Sequence, residues 1–274
     1  MKIFASDLDG TLLNKDYQTD ERINNCIQKV VDHHDLFVIV TGRSINGISN
    51  LDFVKNTSYL IVMNGAIILD NQFKILKETT IDRDVIKAIY KNYQSDNVEY
   101  ISGKNIYMTI SREKYLHEYC MWDLWNKKVG NDQDNLEHHL SIFKFDCRLE
   151  DIQDIVKINI LELDNKKHQE KGRFIKQFDA SISNQPFDSH VFELTSRNIS
   201  KLNALKYLSK INHWNDEDVY VFGDGGNDVE MLNYYQHSYA PSNASNAAIK
   251  VAKEMIEANY DYGVSNKIQS LMCK

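Results

Sequence analysis

At 274 residues, 42% of them apolar, the chain is long enough for one large or two ordinary domains and can fill a substantial core. A formal net charge of −7, a pI near 5.7 and the lack of any stripe of Lys and Arg exclude a general nucleic-acid binder. No apolar run approaches ~18 residues and no signal-peptide pattern precedes the first strand, so neither secretion nor membrane association is expected. Cysteines 26, 120, 147 and 273 are scattered, without a C-x-x-C pair or a His at ligand spacing, and read as reduced thiols of a cytoplasmic protein. The expected state is a monomer or weak homo-oligomer.

The chain opens on Ile3-Phe4-Ala5, an apolar run suited to a buried strand, which leads into Asp7-Leu8-Asp9-Gly10-Thr11-Leu12. Aspartates at i and i+2 of an extended segment share one side and are held within a few ångströms of each other. Like charges that close raise one pKa unless a cation shares the site, which suits a nucleophile beside a proton donor. Alone, D-x-D-G reads rather as an acidic turn closing a strand. Three later stretches reverse that reading.

Ile23, Cys26, Ile27, Val30 and Val31 recur at helical spacing behind the candidate caps Thr19 and Asp20. The apolar strand over residues 36–40 runs into Thr41-Gly42-Arg43-Ser44, a turn with a Ser cap for the next helix. A third buried strand over residues 59–63 ends at Asn64-Gly65, and a hairpin around Asp70-Asn71-Gln72 follows at the sheet edge. Strand, helix, strand implies a parallel pair with a right-handed crossover.

From about Asp82 the texture changes. A helix over Val85 to Tyr93 precedes two strands joined by Ser102-Gly103-Lys104-Asn105, and a long helix carries Tyr115, Leu116, Tyr119, Trp122, Leu124 and Trp125, an aromatic stripe that reads as core. Residues 131–139 read as a loop. An alternating strand over 156–161, a helix with Arg173, Phe174, Ile175 and Phe178, and strands at 180–183 and 190–194 complete an antiparallel α+β insertion. The His pairs 33-34 and 138-139 are adjacent, so their side chains diverge and a shared metal is not expected. From Lys201 the first texture returns: a helix with Leu202, Leu205 and Leu208, a buried strand over residues 219–222, then Gly223-Asp224-Gly225-Gly226-Asn227-Asp228 opening a helix near Val229. Ile249, Val251, Ala252 and Ile256 are read as the last helices of this part.

In a parallel α/β sheet a ligand site lies beyond the carboxyl ends of the strands, where the strand order reverses. Asp7 and Asp9, Thr41 and Gly42, Asn64 and Gly65, and Asp224 to Asp228 all follow strands, so one crevice can collect them. Four carboxylates there, Asp7, Asp9, Asp224 and Asp228, are tolerable around a hard divalent cation, and oxygen-only ligation favours magnesium.

D-L-D-G-T-L at 7–12, T-G-R at 41–43, Ser-Lys at 200–201 and G-D-G-G-N-D at 223–228 resemble, in order and spacing, the four motifs of the haloacid dehalogenase-like phosphatase superfamily. N-G-A at 64–66, N-A at 243–244 and an insert of about a hundred residues resemble its Cof-type branch with a large type II cap. The resemblance implies a Rossmann-like α/β core over residues 1–81 and 189–274 and an α+β cap over 82–188 that sets specificity. It implies Asp7 as nucleophile, Asp9 as acid and base, and Thr41 and Lys201 as catalytic partners that bind the phosphoryl group. Gly10, Gly42, Arg43, Asn64 and Asn227 would border the substrate. Magnesium would be held by Asp7, the Asp9 carbonyl, Asp224 and, mostly through water, Asp228. The implied activity is hydrolysis of a small phosphorylated metabolite, a sugar phosphate or phosphorylated cofactor. A phosphomutase, or a non-catalytic phosphate- or metal-binding module, is the alternative. Leu202, where the family has glycine, and Tyr235-Gln236-His237, where it has small residues, are departures. Linkers around residues 79–82 and 185–189, the second restricted by Pro186, would act as one hinge.

Overall fold

In the computed structural model, residues 1–118, 140–184 and 190–273 are described. The chain forms two compact units, residues 1–78 with 199–274, and residues 79–198. In chain order the first contributes β1 (Ile3–Ser6), β2 (Leu36–Val40), β3 (Tyr59–Val62), β4 (Ile67–Asp70) and β5 (Ile75–Glu78). The second holds β6 (Val98–Ile101), β7 (Ile106–Tyr107), β8 (Phe143–Lys144), β9 (Lys157–Leu161), β10 (Ile182–Asn184) and β11 (Val191–Ser196). The returning chain adds β12 (Val219–Phe222), β13 (His237–Pro241) and β14 (Glu254–Ile256).

The first unit is an eight-stranded sheet in the order β14-β13-β12-β1-β2-β3-β4-β5. It is parallel from β14 to β3, and the β4–β5 hairpin closes one edge antiparallel, as the sequence predicts. All four residues of β1 are buried, as a central strand covered on both faces requires. One face packs Ile3, Ala5, Val38, Val40, Val219 and Val221 against Ala204, Leu205 and Leu208 of the helix Lys201–Asn212 and Met231 and Leu232 of the helix Val229–Tyr234. The amphipathic helix Glu21–Asp32 buries Ile23, Cys26, Ile27 and Val30, and its Asp20 cap accepts from the Ile23 N–H at 3.1 Å. Strand order runs outward from β1 in both directions, β2 then β3 on one side and β12 then β13 on the other. The topological switch point therefore lies at β1.

The second unit is a six-stranded sheet in the order β10-β11-β9-β6-β7-β8, antiparallel except for the β7–β8 pair. Val98, Tyr100, Ile158, Ile160, Phe192 and Leu194 pack on one face against Val85, Ile86 and Ile89 of the helix Arg83–Tyr93 and Ile175 of the helix Asn165–Ile175.

Four readings of the sequence change. The return to the first unit comes at Ile199, not at 189, because β11 pairs with β9 and β10 in the second sheet. The departure from it comes after Glu78 rather than at 82. Ile256 ends a strand instead of lying in a helix, since β14 pairs with β13. The strands β8 and β13 were not foreseen. Of the long aromatic helix, Arg112–Glu118 is described. Tyr119, Trp122, Leu124 and Trp125, Cys120, the 131–139 loop, His138 and His139, and the 185–189 linker with Pro186 lie outside the described residues.

Candidate active site

Asp7 follows β1 directly, and its N–H donates to the Phe222 carbonyl at 3.0 Å, which ties it to the end of the neighbouring β12. The chain then winds through Leu8–Leu12, closed by Leu13 N–H donating to Leu8 O at 3.0 Å. Leu8, Thr11, Leu12 and Leu13 are buried, so this turn is pinned from beneath while the Asp9 side chain stays 40% exposed. Gly10 sits at φ +73°, and a Cβ there would lie 2.4 Å from Asp224 Oδ2. Only glycine allows the Asp224 carboxylate to approach this closely. Thr11 Oγ1 donates to Asp224 Oδ1 at 2.7 Å.

Lys201 opens its helix behind Ser200, whose hydroxyl caps the Asn203 N–H at 3.2 Å. The fully buried ammonium lies 2.9 Å from Asp7 Oδ1 and 2.7 Å from Asp228 Oδ1. Asp228 is itself completely buried, and its Oδ2 accepts from the N–H groups of Asp224 and Gly225 at 3.0 and 2.9 Å. That carboxylate ties the G-D-G-G-N-D loop to Lys201 at once. A Cβ on Gly223 would fall 2.5 Å from the Asp228 Cβ, which accounts for the first glycine of the loop.

Asp7, Asp224 and Asp228 each offer a carboxylate oxygen within 4.8 Å of the others, and the one buried ammonium pairs with two of them, Asp7 and Asp228. Burial pushes the Asp7 carboxyl up to about 8, with Asp228 and Asp224 reinforcing it and Lys201 opposing. Burial also raises Asp224, partly offset by the Thr11 hydrogen bond. Lys201 is driven above the ordinary lysine range: desolvation works against its charge, but Asp228 and Asp7 outweigh it. With all three carboxylates ionised, as a bound cation would favour, the site carries two negative charges in excess of the ammonium on oxygen donors alone, which fits a hard divalent cation such as magnesium.

Arg43, expected beside the substrate, grips Asp9 with both arms of its guanidinium, Nε to Oδ2 at 2.7 Å and Nη2 to Oδ1 at 2.5 Å. The Asp9 carboxylate is thus held by Arg43 and is not one of the three that cluster. Thr41 is buried at the end of β2, its Oγ1 accepting the Arg43 N–H at 3.1 Å. Asn64, at φ 56°, accepts from Asn227 Nδ2 at 2.9 Å and crowds Gly42, where a Cβ would come to 3.0 Å of its Oδ1. Gly65, at φ +104°, lies against Ser200 O, where a Cβ would come to 2.6 Å. The N-G pair therefore lets the Lys201 helix dock.

The departures at Leu202 and Tyr235 are absorbed by packing. Both join the apolar cluster under the sheet, and His237 opens β13 stacked on Tyr220 at 4.4 Å. Ser245, not singled out in the sequence, holds the Asp224 carbonyl with its N–H and its hydroxyl, both at 2.9 Å. Thr11 belongs to the D-L-D-G-T-L stretch; Asn243, of the N-A pair, and Asn259, which belongs to no motif, also reach the turn that carries Asp9, donating to the Gly10 and Leu13 carbonyls.

The sequence profile of haloacid dehalogenase-like hydrolases matches residues 4–268. The 5-amino-6-(5-phospho-D-ribitylamino)uracil phosphatase YwtE of Bacillus subtilis is 24% identical, with 99% of this chain and 98% of that protein aligned. The 5-amino-6-(5-phospho-D-ribitylamino)uracil phosphatase YbjI of Escherichia coli is 27% identical, with 99% and 96% aligned. The crystal structure of a haloacid dehalogenase-like hydrolase from Bacteroides thetaiotaomicron shares the fold at a TM-score of 0.81 and 20% identity, covering 98% of this chain and 99% of that one. Among the described residues, no helix is long and apolar enough to cross a membrane.

Proposed function

The chain belongs to the haloacid dehalogenase-like hydrolases, and from that membership we propose that it is a magnesium-dependent phosphatase acting on a small phosphorylated metabolite, a sugar phosphate or phosphorylated cofactor. The observation that carries the reading is the buried Asp7–Lys201–Asp228 arrangement at the switch point of the sheet, with an exposed Asp9 two residues on.

In this reading an Asp7 oxygen attacks phosphorus, the ester P–O bond breaks, and the leaving alkoxide takes a proton from Asp9. Asp9 then takes a proton from water as that water attacks the aspartyl phosphate, which releases phosphate and restores Asp7. Lys201 balances charge on Asp7 and on the phosphoryl group, and Thr41 donates to a phosphoryl oxygen. Asp7, the Asp9 carbonyl and Asp224 would hold magnesium, with Asp228 acting through water. Bound there, the ion supplies positive charge to Asp7 and the phosphoryl oxygens. Both Asp228 oxygens already accept from Lys201 and backbone N–H groups, which supports an indirect role. An Asp9 oxygen that accepts from Arg43 cannot at the same time hand a proton to an alkoxide. An arriving phosphoryl group competes for that guanidinium and releases Asp9 for its task.

The test is steady-state hydrolysis of a panel of phosphate monoesters with magnesium, including sugar phosphates and the compound named in the two phosphatase relatives, followed by acid quench with a labelled phosphoryl group. Phosphate release and label on the protein are expected. Failure to hydrolyse any phosphate ester overturns the reading.

A further inference from the structure

Two asparagines far from the acidic motifs converge on the turn that carries Asp9. Asn259 is 7% exposed, and its Nδ2 donates to the Leu13 carbonyl at 2.9 Å, with Asn14 O at 3.4 Å. Its backbone N–H donates to Asn243 Oδ1 at 2.9 Å, and Asn243 Nδ2 in turn donates to the Gly10 carbonyl at 2.9 Å. The two carbonyls flank the turn, one directly after Asp9 and one at its closing residue. Each is held by an amide that is itself held.

The segment bearing Asn259 is fixed from behind. Gly263 N–H donates to Ala258 O at 3.1 Å, and a Cβ on Gly263 would stand against the Glu257 backbone. Tyr262, at φ 62°, donates its hydroxyl to Asp20 at 2.8 Å and lies under the Arg22 guanidinium at 4.4 Å. A chain of fixed groups therefore runs from the helix Glu21–Asp32 through the 257–263 loop to the peptide beside Asp9. Asn259 is buried and its amide satisfies the Leu13 carbonyl, which an apolar side chain there would leave without that donor, while the exposed Asn243 spends its amide on the Gly10 carbonyl.

We propose that Asn243 and Asn259 are positioning residues, which fix the Leu8–Leu13 turn so that Asp9 stands at a set distance and angle from Asp7. The proposal rests on the phosphatase reading above. Neither amide touches substrate; both act through the backbone of the turn, where a displacement near 1 Å is enough to cost about a hundredfold in rate.

The near-isosteric changes Asn243→Leu and Asn259→Leu remove the donors while keeping size and adding no charge. With para-nitrophenyl phosphate and magnesium, each is expected to lower kcat by roughly ten- to a hundredfold with KM within about threefold of the parent, because ground-state binding is untouched. The double variant should lose little more than the worse single one, since both act on one turn. Leu69→Ala, a core change in β4 outside that chain of contacts, serves as a control with a comparable fall in Tm and unchanged kcat. Parental kcat in both asparagine variants overturns the proposal, as does an equal kcat loss in Leu69→Ala, which would mark the effect as general destabilisation. An inactive parent overturns the phosphatase reading and this inference with it, whereas an active parent with active variants overturns the inference alone.

Discussion

Both units of this chain bury lysines against carboxylates, yet the two arrangements differ in their balance. In the second unit Lys171 Nζ lies 2.7 Å from both Glu162 and Asp96 and 5.3 Å from the centre of the Tyr93 ring, and Lys157 pairs with Glu193 at 3.4 Å. Asp96 keeps 35% of its side chain in solvent, so the surplus charge there is screened by water. In the first unit Lys201 and Asp228 are wholly buried, and a cluster of three carboxylates shares one ammonium, which pairs with Asp7 and Asp228. A charge cluster whose surplus reaches water serves the fold; a buried one whose carboxylates are raised for want of a counter-charge is a candidate for a cation from outside. The architecture follows the same division. A parallel sheet gathers loops from β1, β2, β3 and β12 at one end, whereas antiparallel hairpins alternate side chains between two faces and gather nothing at an end.

The sharpest way to break this contrast is to remove the two buried lysines in parallel. Lys201→Met and Asp7→Asn should each lower turnover of a generic aryl phosphate by at least about a thousandfold. Lys171→Met should leave turnover per folded molecule within about twofold while lowering stability by about 1–3 kcal/mol in urea melts, a range cut back from that of a fully buried pair because Asp96 and Glu162 retain access to water. Equal activity losses in the two lysine variants would erase the distinction.

Metal removal tests the charge deficit next. Turnover should vanish on thorough chelation and return with magnesium, while calcium, with its larger and looser shell, should inhibit. Magnesium at about a hundred times its dissociation constant should stabilise the parent by ~2.7 kcal/mol, and Asp224→Asn should abolish that gain in a thermal melt. Activity that survives chelation would remove the metal from the mechanism.

A third test separates the units. Replacing residues 79–198 with a short Gly/Ser link should leave a folded first unit that hydrolyses small phosphate esters slowly and no longer discriminates among larger ones, read by circular dichroism and by the substrate panel. The limits follow the sheet membership of β11 and not the change of texture in the sequence. An unfolded product would make the two units one cooperative body.

A last test concerns pH. Burial raises the Asp7 carboxyl to about 8 in the folded, metal-free protein, against about 3.9 in an unfolded chain. The unfolded state therefore releases this proton first, and stability contributed at low pH is lost as pH rises from near 4 through 8. With chelator present, Asp7→Asn should raise Tm relative to the parent by more at pH 8 than at pH 5. Each kcal/mol corresponds to roughly 2–4 °C in a chain of this class. A gap that narrows as pH rises would refute the assignment.

The sequence by itself determined the local elements of the first unit and the stretches proposed to bear its chemistry. Apolar runs made β1, β2, β3 and β12, the caps Asp20, Ser44 and Ser200 started their helices, and each acidic or Asn-Gly stretch followed a strand whose parallel neighbours would bring it to one end. Such signals reside within a few residues, so they survive without knowledge of the rest of the chain. The tertiary structure alone decided the remainder. β13 reads His-Ser-Tyr-Ala-Pro and β14 Glu-Met-Ile, too short and mixed for periodicity, and they are strands because β12 and then β13 offer them a ladder. The grip of Arg43 on Asp9 spans 34 residues and that of Asn259 on Leu13 spans 246, and no local pattern selects those partners. Contacts of that separation are set by the order in which strands assemble around β1, which is a property of the whole sheet and not of any segment in it.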